Sequence, residues 1–161
     1  MIGHSLGEFA AAAVAGVMSF ESAIELTVLR GKLIFDLPRG AMLAVMCPVD
    51  EVKPHMPETL SVAVLNSPQN CVVSGTTEAI EAFASKLELV GISNRVLRTS
   101  HGFHSSMMDS VLEDFSAAVA KVELSDPSIP IVSTVTGDWV QSGEMNQSEY
   151  WARNILSLIH I

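Results

Sequence analysis

A serine set between glycines, directly ahead of an alanine-rich segment, narrows the possible folds of this chain more than any other feature. Residues 3–7 read GHSLG, and residues 6–17 are rich in alanine, a composition that favours a helix. A G-x-S-x-G pattern is typical of a sharp turn from a strand into a helix, which holds the serine in a strained, exposed position. Ser5 is therefore a candidate nucleophile. The alternative is an ordinary glycine-serine loop.

The start of the predicted helix adds an electrostatic element to this turn. A helix N-terminus presents unbonded backbone N–H groups and the positive end of the helix dipole. These groups can stabilise the oxyanion that forms when a serine attacks a carbonyl carbon. We expect the backbone N–H of Leu6, the residue after the candidate nucleophile, to be the first oxyanion donor.

Charge and composition exclude several classes of function. The chain has 161 residues, of which 48% are hydrophobic, enough for one domain with a core. The net charge of −9 is opposite to the basic surface that a nucleic-acid-binding protein needs. Apolar runs stay well short of the ~20 residues of a membrane span, and the start lacks the charged segment of a signal peptide.

The two cysteines, Cys47 and Cys71, predict no metal site. Each lies alone in an apolar, strand-like run, without the spacing of metal ligands. We expect both to be buried and reduced, as suits a cytoplasmic protein. Together with the net charge and the short apolar runs, the cysteine pattern predicts no metal, no nucleic acid and no membrane among the partners.

The hydrophobic pattern places a mixed α/β unit between helical segments. Strands are predicted over 41–47, 60–65, 70–75 and 94–98, with helices over 49–55 and 76–90. This β-α-β-β-α-β order is the ferredoxin-like arrangement, and the unit spans about 41–99. Outside it we predict helices over 20–35, 107–122 and 148–155, and a strand over 129–136.

Both ends of the chain carry an expectation of their own. Residues 156–161 read as the in-frame translation of a sequencing adapter, so we expect them to be an adapter-derived tail. No strand precedes the turn at residue 3, although such a turn needs one. We therefore expect residues 1–155 to be a fragment of a larger domain.

A serine nucleophile needs a base to accept its proton. The histidines outside the tail are His4, His55, His101 and His104. The first is expected to point away from Ser5, and the second to lie on the surface. The other two share one polar loop, residues 99–106, directly before a predicted helix, and the pattern alone leaves both as candidates.

Arg30 is the second informative charge. It falls on a helix face that also carries Ala23, Leu26 and Leu33, where a charge is unfavourable unless it is paired. One interpretation is a surface arginine whose stem lies along apolar neighbours. The other is a planar fork that binds a carboxylate with two hydrogen bonds.

The longer motif GHSLGEF, residues 3–9, resembles the GHSxGE motif of the malonyl-CoA:acyl-carrier-protein transacylase family, which includes the acyltransferase domains of polyketide and fatty-acid synthases. Further blocks follow in family order: LRG, NSP, VVSG, SHGFHS and YWARN. The resemblance covers residues 1–155. It implies an α/β fold with an incomplete α/β-hydrolase-like large subdomain, 1–40 and 100–155, and an inserted ferredoxin-like βαββαβ small subdomain.

The resemblance also implies roles for individual residues. It selects His104 as the catalytic base, because the second histidine of the family tetrad has that role, and it makes Arg30 the residue that binds the malonyl carboxylate. His101, Phe103 and Asn154 are implied to be substrate-binding residues, with Asn154 beside the catalytic histidine. The ring of Phe103 is expected to favour malonyl over methylmalonyl units. Gly102, where the family usually has alanine, is expected to loosen the loop.

The function implied by the resemblance is acyl transfer in polyketide or fatty-acid synthesis. A malonyl unit passes from malonyl-CoA through a Ser5 acyl-enzyme to the phosphopantetheine thiol of an acyl carrier protein. The domain needs no cofactor of its own, and other synthase domains in cis are expected partners. Two alternatives stay open, a serine hydrolase or thioesterase-like enzyme and a catalytically dead synthase fragment.

Overall fold

The computed structural model describes residues 1–156 and the backbone of residues 159–160. Its helices are α1 (Gly7–Val14), α2 (Phe20–Phe35), α3 (Val49–Val52), α4 (Thr77–Leu89), α5 (Leu112–Val119) and α6 (Ser148–Leu156). Its strands are β1 (Ala41–Val45), β2 (Ser61–Ser67), β3 (Asn70–Gly75), β4 (Asn94–Val96) and β5 (Ile159–His160). Short 3-10 turns cover Lys53–His55 and Ser106–Val111.

The chain divides into two compact units, which we describe separately. The helical unit comprises Met1–Asp36 and Ser110–Ile155, and the sheet unit comprises Leu37–Asp109 and Leu156–Ile161. Residues 157, 158 and 161 of the predicted adapter-derived tail lie outside the described residues. No helix in the described part of the chain is both long and apolar enough to cross a membrane.

The sheet unit is built on a five-stranded sheet of order β4-β1-β3-β2-β5. The first three pairings in that order are antiparallel, and β5 pairs in parallel with β2. Strand β1 is buried along its whole length, which explains its continuous apolar sequence. One face of the sheet packs with α4 into a core that includes Leu43, Val45, Val73, Ile80, Phe83 and Leu87. Both cysteines are buried and free, as predicted.

Two predicted helix starts are confirmed at the level of single hydrogen bonds. The Ser19 hydroxyl accepts the backbone N–H of Ser22 at 3.0 Å and caps α2. The Thr76 hydroxyl accepts the backbone N–H of Ala79 at 3.2 Å and caps α4. Each cap satisfies a donor that the helix itself cannot, a contribution of about 1 kcal/mol.

The predicted strand over 129–136 is wrong. This segment makes only isolated bridges, in which Val132 pairs with Ile2 and with Trp139. The Ser133 hydroxyl accepts the backbone N–H groups of Val135 and Thr136, and these bonds fold the chain into a turn. Because a serine hydroxyl competes with the sheet for these donors, the apolar run does not extend as a strand.

The predicted helix over 107–122 is correct only in its middle. The chain enters it through the 3-10 turn Ser106–Val111, and α-helical geometry is confined to Leu112–Val119. Asp109 and Ser110 lie in that turn, and such short polar side chains favour turns over helix interiors. The apolar face is nevertheless buried, because Met108, Phe115 and Val119 have no exposed surface.

An aromatic cluster fixes α1 within the helical unit. The ring of Phe9 lies 6.1 Å from that of Phe115 on α5, edge to face, and 4.7 Å from that of Trp151 on α6. The Trp151 indole N–H donates to the Met145 carbonyl at 3.0 Å. Because these rings are fully buried, the start of α1 is held by packing on two sides.

Candidate active site

Ser5 occupies a strained backbone position at the start of α1. Its φ is +50°, in the left-handed region that residues other than glycine rarely adopt and that carries an energetic penalty of about 1–3 kcal/mol. Helical hydrogen bonds begin at once, since the Gly7 N–H donates to the His4 carbonyl at 2.9 Å. The serine therefore sits on a sharp turn directly against a helix N-terminus, where the Leu6 N–H is also found.

The turn requires glycine at one of its two glycine positions. A Cβ at Gly3 would lie 2.2 Å from the backbone oxygen of Gly7, closer than any real contact, so a side chain cannot fit there. A Cβ at Gly7 would meet no atom within 4 Å in the described part of the chain. The motif's first glycine is therefore a steric requirement of the turn, and its second is not.

Glu8, one residue further on, is a buried carboxylate that sequence reasoning used only as part of a motif. Its side chain accepts hydrogen bonds from the Thr134 N–H at 3.3 Å, the Thr134 hydroxyl at 3.0 Å, the Asn154 amide at 2.6 Å and the Tyr150 hydroxyl. Burial raises the pKa of Glu8, and these hydrogen bonds oppose the rise. The sequence signal that pointed to this network was the spacing of Tyr150 and Asn154, which places both on one face of α6.

Asn154 links this carboxylate to the nucleophile turn. Its side-chain NH2 group, which bonds Glu8, also makes a long hydrogen bond of 3.4 Å to the backbone carbonyl of Ser5. The residue is fully buried. The structure thus brings Asn154 against the nucleophile turn, and its predicted position beside His104 stays a prediction.

Arg30 is a buried cation beside the candidate nucleophile. Its side chain is 7% exposed, and one guanidinium nitrogen, Nη2, donates to Ser5 Oγ at 3.4 Å. Burial lowers the pKa of Arg30 to about 10, so the group remains protonated at neutral pH. Among residues 1–156 it has no ion-pair partner, and its Nε has no hydrogen-bond partner. The interpretation as a surface arginine is therefore wrong.

The sheet unit carries the loop with the two candidate histidines. His104 is 5% exposed and has a φ of +56°, the second left-handed residue other than glycine in the described chain. The Ser74 hydroxyl of β3 donates to the Phe103 carbonyl at 2.6 Å, and the Ser105 hydroxyl donates to the Gly102 carbonyl at 2.6 Å. These bonds hold the backbone on both sides of His104.

The two histidines of this loop differ in what surrounds their rings. His101 Nδ1 is hydrogen-bonded to the Ser100 hydroxyl at 2.8 Å, and its Nε2 to the Leu37 carbonyl at 3.2 Å. Both ring nitrogens of His101 are thus engaged, and the bond to Leu37 anchors the loop to its own unit. A base needs one nitrogen that can accept a proton from the nucleophile, so this arrangement favours His104.

Gly102 packs more tightly than the sequence suggested. A Cβ at this position would lie 2.8 Å from the Gly75 backbone oxygen and 2.9 Å from the sulfur of Met107. Glycine here permits a close approach of two backbones, so the expectation that it loosens the loop is wrong.

Comparison with known proteins decides the family. Residues 1–160 match the acyl transferase domain family. The chain belongs to this family. It is 38% identical over 156 residues to the mycoketide-CoA synthase of Mycobacterium tuberculosis, covering 96% of this chain and 4% of that synthase. It is 38% identical over 158 residues to the spectinabilin polyketide synthase system protein NorB of Streptomyces orinoci, covering 96% of this chain and 7% of that protein.

Solved acyl transferase structures share the mixed α/β fold. The acyl transferase domain of SpnD in complex with 2-(pent-4-yn-1-yl)malonyl superposes with a TM-score of 0.94 at 36% identity, covering 99% of this chain and 39% of that one. The malonyl CoA-acyl carrier protein transacylase of Burkholderia pseudomallei gives 0.86 at 29% identity, covering 99% and 56%. This chain therefore spans well under two thirds of these relatives.

The predicted site residues of this acyl transferase domain fall in both units. The helical unit holds Ser5, Leu6, Arg30 and Asn154. Within it, Arg30 and Asn154 each make a hydrogen bond to Ser5. The sheet unit holds His101, Phe103 and His104. The pairing of Ser5 with His104 stays a prediction.

Proposed function

We propose that this chain, as part of a longer synthase, transfers a malonyl unit from malonyl-CoA to the phosphopantetheine thiol of an acyl carrier protein. The observation that carries the proposal is the 3.4 Å contact between the Arg30 guanidinium and Ser5 Oγ. A buried cation without a carboxylate partner in the described chain suits a substrate that brings its own carboxylate. The malonyl group is such a substrate, since its free carboxylate lies two carbons from the reacting thioester carbon.

The proposed reaction has two chemically similar halves. His104 takes the proton of Ser5 Oγ, which attacks the thioester carbonyl carbon, and the resulting oxyanion is stabilised by the Leu6 N–H at the helix N-terminus. The carbon–sulfur bond then breaks, CoA leaves as its thiol with the proton from His104, and a malonyl ester remains on Ser5. In the second half the carrier thiol gives its proton to His104 and attacks the ester carbonyl carbon. The bond from that carbon to Ser5 Oγ breaks, His104 returns the proton to Ser5 Oγ, and the malonyl group is left as a thioester on the carrier.

Phe103 is proposed to set the preference for malonyl over methylmalonyl units. Its ring is half-buried and packs on the sheet cluster that contains Met42, Ala63, Val64 and Val72. It also meets the His101 ring edge to face, with centroids 6.0 Å apart. A ring supported on two sides resists displacement by an extra methyl group. One methyl group contributes only ~1–3 kcal/mol of discrimination. Methylmalonyl units should therefore react more slowly than malonyl units without being excluded.

The proposal also assigns the two units of the chain to the two subdomains of an acyl transferase. The strand order β4-β1-β3-β2 with antiparallel pairing supports a ferredoxin-like small subdomain. The sharp serine turn into α1 supports a part of a hydrolase-like large subdomain. An acyl carrier protein and other synthase domains are the proposed partners, in the cytoplasm, and the substrates require no cofactor on this domain.

Transfer and hydrolysis give different products, and this difference tests the proposal. The full-length parent protein is incubated with malonyl-CoA and a phosphopantetheinylated carrier protein, and the carrier mass and free malonate are measured together. We expect malonyl-carrier to form much faster than malonate. Release of malonate with an unmodified carrier would indicate the serine hydrolase, and no turnover of either kind would indicate a dead fragment.

A further inference from the structure

The carboxylate of Glu8 joins three separate parts of the helical unit. Its four hydrogen-bond donors come from the turn at Thr134, from Tyr150 and from Asn154, while Glu8 itself lies one turn after Ser5 on α1. Glu8 has no exposed surface. Among residues 1–156 Glu8 has no ion-pair partner. Burying a carboxylate in this way is unfavourable unless hydrogen bonds compensate, so we ask what these hydrogen bonds do beside the nucleophile turn.

Hydrogen-bonding groups surround both carboxylate oxygens of Glu8. The Tyr150 hydroxyl contacts both Glu8 and the Ser133 hydroxyl, the latter at 2.7 Å. Tyrosine has one hydroxyl proton, so when Tyr150 donates to Glu8, Ser133 donates to Tyr150. The Thr134 N–H and the Asn154 NH2 can only donate. The Thr134 N–H donates to Oε1 and the Asn154 NH2 donates to Oε2, so both carboxylate oxygens of Glu8 act as acceptors.

The Glu8 oxygen Oε2 determines which way the Asn154 amide faces, because it accepts a hydrogen bond from the Asn154 NH2 group. In the observed orientation the NH2 group lies 2.6 Å from Glu8 Oε2 and 3.4 Å from the Ser5 carbonyl. The amide oxygen is buried and has no hydrogen-bond partner within residues 1–156. Reversing the amide would set this oxygen against both the carboxylate and the Ser5 carbonyl, so the orientation with an unsatisfied oxygen is still the favoured one.

We propose that Glu8 is a positioning residue for the nucleophile, because its carboxylate holds the Asn154 NH2 group against the backbone carbonyl of Ser5. This contact restrains the left-handed backbone at Ser5, whose φ is +50°. Strained residues persist when surrounding contacts determine their conformation. The inference rests on the proposed function, in which Ser5 is the acylated residue.

Glutamine at position 8 preserves the shape and changes the direction of the hydrogens. If its NH2 group takes the place of Oε1, it meets the Thr134 N–H. If it takes the place of Oε2, it meets the Asn154 NH2. The second conflict is relieved when the Asn154 amide reverses, and that reversal removes the bond to Ser5. The Glu8→Gln variant should therefore fold. Its effect on acylation should come from the reversed Asn154 amide, which no longer bonds Ser5.

A double-mutant cycle in the full-length parent protein tests this coupling. The readout is the single-turnover rate of acylation by malonyl-CoA, followed by intact mass, with thermal unfolding measured alongside. Glu8→Gln and Asn154→Ala should each lower the rate about tenfold, the equivalent of one hydrogen bond, with KM little changed. The double variant should be no slower than either single variant, because both changes remove the same contact.

Thr134→Val is the matched control, since it removes a hydrogen bond to Glu8 at Oε2 without altering Asn154. It should lower thermal stability yet slow acylation by no more than about twofold. Losses that multiply in the double variant, or equal losses in Glu8→Gln and Thr134→Val, would overturn the proposal and leave Glu8 a purely structural residue. If Glu8→Gln does not fold, the acylation rates of Asn154→Ala and Thr134→Val are compared instead. A larger loss in Asn154→Ala supports the positioning role, and equal losses contradict it. A wild-type protein that carries no acyl group on Ser5 would instead refute the proposed function itself.

Discussion

Replacing His104 by alanine should lower kcat/KM for malonyl transfer by about 10²–10⁴-fold, the usual contribution of a general base. His104 is nearly buried, and its backbone is held in a left-handed conformation by hydrogen bonds on either side of it. Such strain is typical of residues whose geometry serves a reaction. The loss should appear in the acylation half-reaction as well as in overall transfer, because the same group moves the proton in both.

His101→Ala is the control that separates the two histidines of the loop. Both ring nitrogens of His101 are engaged by neighbours in its own unit, the Ser100 hydroxyl and the Leu37 carbonyl. Its loss should therefore reduce stability and slow transfer less than the loss of His104. Steady-state kinetics of both variants, with thermal unfolding as a check on folding, give the comparison. A larger loss for His101→Ala would reverse the assignment.

Arg30→Ala should lower kcat/KM for malonyl-CoA by about tenfold to a hundredfold while leaving acetyl-CoA unchanged or improved. A charge-assisted hydrogen bond contributes about 1.5–3 kcal/mol, and only a substrate with a carboxylate can form it. Because the pKa of Arg30 is lowered by burial only to about 10, the cation is present at neutral pH. The measurement is competition between the two CoA esters, with the acyl-enzymes resolved by mass.

Stability provides an independent check on Arg30. A buried arginine without an ion-pair partner in residues 1–156 contributes little to folding, so Arg30→Ala should not lower the free energy of unfolding strongly. Arg30→Lys retains the charge but not the planar fork, and its malonyl activity should fall between wild type and Arg30→Ala. Equal losses for malonyl and acetyl transfer, together with a marked loss of stability, would identify Arg30 as structural.

The parts of the fold that follow from local sequence were predictable. Ser19 and Thr76 cap the helices that they precede, since capping depends on a few adjacent residues. The strand over 129–136 was mispredicted because the hydroxyl of Ser133 competes for backbone donors, and an apolar run does not reveal that competition. The hydrophobic pattern located the strands and helices of the sheet unit, because period-two and period-3.6 repeats distinguish these two kinds of element.

The candidate site was predictable wherever a motif names a residue, and not where distant residues meet. Ser5 and the loop of His104 are local motifs, and both have the backbone strain that such motifs favour. The Glu8 network joins residues more than a hundred positions apart. Over such a separation the sequence pattern does not show which residues will meet. Gly102 was misjudged for the same reason, since its neighbour Gly75 is close only in the folded chain.

The position of the acyl group on the protein tests the proposed mechanism at its first step. The full-length parent protein is mixed with malonyl-CoA in the absence of an acceptor thiol, quenched, digested and analysed by peptide mass spectrometry. We expect one malonyl ester, on the peptide that contains Ser5, and none in Ser5→Ala. Acylation of a different residue, or continued transfer by Ser5→Ala, would contradict the mechanism.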